Sequence, residues 1–105
     1  MILIATASFP QTSVKQAAKI YGEMMKLPTA IRRYGPYFQV EPGHPLQVIA
    51  VYETDAAVEQ EVQKFLEKRY AVFSDIPGFT CKIGKWLNLP DAVARLAKTP
   101  IASGS

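Results

Sequence analysis

At 105 residues, with 49% hydrophobic and 20% charged residues, the chain has the size and composition of one globular domain with a single core. A net charge of +3, with Lys and Arg scattered along the chain, argues against a basic stripe for nucleic acid. Cys81 is the only cysteine and His44 the only histidine, which excludes an intramolecular disulfide, a CxxC site and a histidine-rich metal centre within one protomer.

The chain opens on MILIATAS, where Ala5-Thr6-Ala7 mimics a signal-peptide cleavage site. No basic leader precedes it and its apolar run is too short, so Ile2 to Ala7 reads as a buried strand. No run approaches the roughly 20 apolar residues of a membrane span. The expectation is a cytoplasmic protein with no membrane association.

Ser8-Phe9-Pro10-Gln11 breaks the strand. Ser13 with Gln16 fits a capping box. Val14, Ala17, Ala18, Tyr21 and Met24 or Met25 then follow helical spacing, and Pro28 ends the helix. Gly22 either weakens it by up to about 1 kcal/mol relative to Ala or permits a close approach. Thr29 to Tyr34 has no clear period beyond one helical turn. Pro36 to Val40 reads as a second strand, held to a sheet edge because Pro36 donates no ladder hydrogen bond. Glu41 to Pro45 is a turn leading into a third strand, Leu46 to Glu53.

The clearest helix covers Thr54 to Phe73, with Val58, Val62, Phe65, Leu66, Tyr70 and Phe73 on one face. Thr54 or Asp55 suits its N-cap, and Pro77-Gly78 cannot extend it. Phe79 to Leu87 is a fourth strand, with Phe79, Cys81 and Ile83 on one face and Thr80, Lys82, Gly84 and Trp86 on the other. Its lysines suit an exposed edge, and Cys81 reads as a small buried hydrophobe. Asn88 caps a short terminal helix bearing Val93, Leu96 and Ala97. One domain over 1–98 and a flexible tail over 99–105 are expected.

The order β-α-β-β-α-β plus a tail helix predicts an α+β, ferredoxin-like fold: a four-stranded antiparallel sheet with two helices on one face. The first and third strands belong in its centre. A sheet covered on one side alternates apolar and polar residues, yet Ile2 to Ala7 and Val48 to Tyr52 are apolar on both faces. The terminal helix is too small to cover the second face, so a second copy is expected there, making a homodimer. Small residues such as Ala5, Ala7 and Ala50 are the alternative, leaving a tolerable exposed face.

That plan, the two-sided central strands and the segments Tyr34-Gly35-Pro36-Tyr37-Phe38 and Asp75-Ile76-Pro77-Gly78-Phe79 resemble the dimeric α+β barrel group of ferredoxin-like proteins. The likeness covers roughly residues 1 to 88 and is one of pattern. The group includes cofactor-free monooxygenases, muconolactone-isomerase-like enzymes and many small uncharacterised bacterial proteins. The resemblance implies a ligand between the sheet and the helices of one protomer. It assigns no functional residue.

The candidate ligand-binding residues are Arg32, Tyr37, Tyr52 and Trp86. Within Ile31 to Phe38, arginine can clamp an anionic ligand while tyrosine stacks on it; the plainer reading is a solvated basic loop before an anchored strand. Tyr52 ends a strand and can donate a hydrogen bond inside a pocket. Trp86 suits a pocket or an interface, or packing under the terminal helix. A histidine can serve as a general base, but His44 stands in a turn between Gly43 and Pro45, with Glu41 and Glu53 as its nearby carboxylates. Glu53 and Asp75 are separated by a helix about 27 Å long, which keeps them from acting as a pair.

RNA-recognition aromatics, a CxxC after the first strand, an arginine-bearing anion loop and Walker or GxGxxG sequences are all missing. The expected function is a small homodimeric ligand-binding or accessory protein with a small-molecule ligand. It needs no metal or cofactor. The alternative is a cofactor-independent enzyme, monooxygenase- or isomerase-like, with its pocket among the same four residues.

Overall fold

The computed structural model describes residues 1–24 and 26–98. Met25 and the expected tail over 99–105 lie outside the described residues. The elements are β1 (Ile2–Phe9), α1 (Val14–Gly22), β2 (Arg32–Gln39), β3 (Leu46–Glu53), α2 (Glu59–Ala71), β4 (Thr80–Trp86) and α3 (Leu89–Lys98). They form an α+β structure on an open, antiparallel four-stranded sheet of order β2-β3-β1-β4. The first and third strands are central, as their apolar runs predict. Pro36 and the lysines fall on the two edges.

β2 begins four residues earlier than its sequence implies, at Arg32 rather than Pro36. Its pairing with β3 shifts between Tyr34 and Tyr37, so Gly35 and Pro36 together stand opposite Ala50. This bulge accommodates the proline, which has no N–H for the ladder. Gly35 has φ +96°, and a Cβ there would sit 3.0 Å from the Tyr37 nitrogen and 3.1 Å from the Ile49 carbonyl oxygen. Only glycine suits that position.

The helix starts also differ from expectation. Neither Ser13 nor Asp55 makes a side-chain capping bond. Short 3-10 turns, Gln11–Ser13 and Ala56–Val58, precede α1 and α2 instead and use the backbone to close the first turns. Asn88 does cap α3, its Oδ1 accepting the Asp91 N–H at 2.9 Å. Gly22 permits no close approach, since a Cβ there would meet nothing within 4 Å. Gly22→Ala is therefore expected to raise the unfolding free energy by about 0.5–1 kcal/mol, read from the urea midpoint.

Strand alternation divides the sheet into two unlike faces. Leu3, Ala5, Ala7 and Phe9 of β1 and Leu46, Ala50 and Tyr52 of β3 are buried on the helix side. α2 sets Val62 and Leu66 onto Leu3, Ala5, Ala50 and Tyr52. Ala17 of α1 joins Phe9, Leu46, Phe73 and Ile76 in a second cluster.

The other face runs in four rows from β2 to β4: Arg32-Glu53-Ile2-Trp86, Tyr34-Val51-Ile4-Gly84, Tyr37-Ile49-Thr6-Lys82 and Gln39-Gln47-Ser8-Thr80. One of its rows, Tyr34-Val51-Ile4-Gly84, is apolar throughout and two others are half apolar, and Tyr34, Tyr37, Ile49 and Trp86 are exposed. α3 does not cover them, for its own Leu89, Val93 and Leu96 are 56–76% exposed. The thinnest dimension, 20 Å, is that of two layers, one sheet and one tier of helices.

Candidate functional site

A cavity of about 310 Å³ lies between α1 and the helix-side face of the sheet. Ala17, Ala18 and Tyr21 of α1 form one wall, and Phe9, Leu46 and Val48 contribute to the sheet floor. The far wall is aromatic. Tyr52, Tyr70, Phe73, Phe79 and Phe9 follow one another with ring centroids 5.4–6.5 Å apart, which gives rigid packing at low conformational cost.

Polar groups gather at one end. The Tyr52 and Tyr70 hydroxyls are 2.7 Å apart and share a hydrogen bond in which either can donate. Arg33 stands directly across from Tyr52 in the β2–β3 ladder, and its guanidinium lies 6.0 Å from the centre of the Tyr21 ring. Arg69, one residue before Tyr70, is only 7% exposed and also lines the cavity. Among the described lining residues none is acidic.

Burial is the largest cause of a raised pKa in both phenols. It raises the Tyr52 pKa, against the Tyr70 hydrogen bond and the nearby Arg69 and Arg33 charges, which lower it. It raises that of Tyr70 too, and there the bond to Tyr52 adds to the rise. An unfolded tyrosine ionises near pH 10. Above about pH 10 the unfolded chain therefore sheds protons that the folded chain keeps, and stability present below that pH falls as pH rises. Tyr70→Phe removes its share of this dependence. Its urea midpoint is expected to fall less than that of the wild type between about pH 9.5 and 11.

The four residues chosen from sequence do not converge. Tyr52 lines the cavity. Arg32, Tyr37 and Trp86 lie on the opposite face of the sheet, Arg32 and Trp86 in one row and Tyr37 two rows away. Arg32 is 3.8 Å from Glu53, both side chains largely solvated. Among the described residues, the four do not converge on one site. Of the two adjacent arginines of β2, Arg33 lines the cavity and Arg32 alternates to the other face.

Arg69 was not singled out from sequence, although a signal exists. It falls seven residues after Val62 and three after Leu66, which sets a cation on the buried stripe of α2. Cys81 also departs from expectation: it shares the helix-side face of the edge strand β4 with Ile83, but it is exposed rather than buried. His44 lies 3.8 Å from Glu41 in an exposed turn, away from the cavity. Gln11 anchors that turn, its Nε2 donating to the Glu41 and His44 carbonyl oxygens at 2.6 and 2.7 Å.

Among the described residues no helix is long and apolar enough to cross a membrane, and no three His, Cys, Asp or Glu side chains gather as metal ligands do. No protein-family model, curated protein or solved structure matches the chain.

Proposed function

We propose that this is a small-molecule-binding protein of ferredoxin-like architecture that works as a homodimer, with one ligand site per protomer between α1 and the sheet. The single observation that carries the binding reading is the cavity, apolar along its length and polar at one end only. Ligand sites combine apolar walls with a few converging polar groups, and this one lies where that architecture leaves room. The ferredoxin-like assignment is supported by the central placement of β1 and β3 and by both helices packing on one face.

The dimer is supported by the bare face. Tyr34, Tyr37, Ile49 and Trp86 are exposed beside Ile4 and Val51, a surface larger than scattered single hydrophobes. Four strands of about eight residues project roughly 500 Å². A stable interface takes roughly 800 Å² per partner, and the exposed Leu89, Val93 and Leu96 of α3 are further apolar surface that the chain offers. The occupant is a second copy, because a two-fold axis places the same apolar rows against each other.

A cofactor-independent enzyme on the same scaffold is the second reading. What favours it is the Tyr52–Tyr70 pair beside arginine, which offers donors to a developing enolate-like oxygen. Native mass spectrometry of protein purified without denaturation tests the first reading. A dimer carrying extra small-molecule mass is expected. A monomer across the micromolar range removes the dimer. A cavity that takes no small apolar probe removes the binding function.

A further inference from the structure

We infer that the cavity takes a ring carboxylate, its ring against the Phe73–Phe79 wall next to Tyr70 and its carboxylate at the Arg33, Arg69, Tyr52 and Tyr70 end. This rests on the proposal that the cavity binds a ligand, and specifies the ligand's chemistry. Size comes first. An engineered apolar cavity of about 150 Å³ holds benzene. At about 310 Å³ this one is about twice as large and holds a ring with a short chain.

Shape and polarity then orient that ligand. Leu46 and Tyr52 are six residues apart on β3, about 20 Å along the strand. Phe9 and Leu46 face each other across the ladder at one end, and Arg33 and Tyr52 at the other. The cavity is therefore elongated and polar at one tip. The planar Phe73–Phe79 wall suits a ring more closely than a flexible chain.

A count of donors sets the charge. The two hydroxyls carry two protons and share one hydrogen bond, so one proton remains for a third partner. Guanidinium groups donate and never accept. With no acid among the described lining residues, the end presents donors and positive charge. An anionic oxygen answers both. The planar fork of arginine matches the two oxygens of a carboxylate.

The test compares 3-phenylpropionate with its neutral isostere 3-phenylpropanamide by isothermal titration calorimetry at neutral pH. The carboxylate is expected to bind at least about tenfold more tightly, the scale of one charge-assisted hydrogen bond. In Arg33→Met, at an exposed position outside the buried clusters, the preference for carboxylate over amide is expected to shrink to about threefold or less. Tyr52→Phe is expected to weaken the carboxylate more than the amide. Equal affinities for the two probes, or a preference untouched by Arg33→Met, overturn the carboxylate inference and leave the binding proposal standing. Failure of both probes to bind at millimolar concentration overturns both.

Discussion

Leu66→Ala is expected to lower the unfolding free energy by about 3–4 kcal/mol and the melting temperature by roughly 15–25 °C. Leu66 is 0% exposed and packs in the cluster formed by Leu3, Ala5, Tyr52 and Val62. Its removal loses the transfer free energy of the side chain and leaves a void. The floor beneath it is β1 and β3, whose ladder runs unbroken from Ile2–Glu53 to Phe9–Leu46 and cannot sag into the gap. That places the cost near the middle of the usual range of about 2–5 kcal/mol rather than at its low end. A domain of this size has about 5–15 kcal/mol in total, so one side chain accounts for a large share. Differential scanning calorimetry checks the figure. A loss under about 1 kcal/mol would mean that α2 is not seated as described. Phe38→Ala is the contrast: Phe38 is 58% exposed at the cavity wall, and its truncation is expected to cost far less.

The sheet and its helices were legible because their signals are local. The stripe of Val62, Leu66 and Phe73, the apolar runs of β1 and β3 and the Pro36 edge signal each sit within one element. What escaped depended on register or on contact between elements. Arg32 was preferred to Arg33 because nothing local says which residue of β2 faces Tyr52. The bulge at Gly35-Pro36 and the pairing of Arg33 with Tyr52 decide it. Tyr52 and Tyr70 are eighteen residues apart, and only the docking of α2 on β3 brings their hydroxyls to 2.7 Å. The capping box at Ser13 failed for a different reason: a 3-10 turn over Gln11–Ser13 satisfies the helix start with backbone alone. Cys81 read as buried because alternation gives the face of a residue but not how much of that face its neighbours cover.

Ile49→Lys is expected to leave a folded monomer at micromolar concentration, where the proposed dimer of the wild type is expected to persist. Ile49 is 40% exposed in the middle of the bare face, flanked by Tyr37 on β2 and Thr6 on β1. It takes no part in either buried cluster, so the helix-side core and its far-UV circular dichroism are expected to persist. Across a two-fold axis one substitution enters the interface twice. Each buried ammonium costs several kcal/mol after relaxation, against about 8 kcal/mol for a micromolar association. Lysine is the sharper choice over aspartate. Lys82 stands two strands away in the same row, about 10 Å, where it would repel a new cation and attract a new anion. Gln47→Lys in the adjoining polar row is the control, expected to leave association unchanged because Gln39, Ser8 and Thr80 already keep that row wet. Sedimentation velocity separates the outcomes. Survival of the dimer in Ile49→Lys would move the interface off the sheet, toward the exposed Leu89, Val93 and Leu96 stripe of α3.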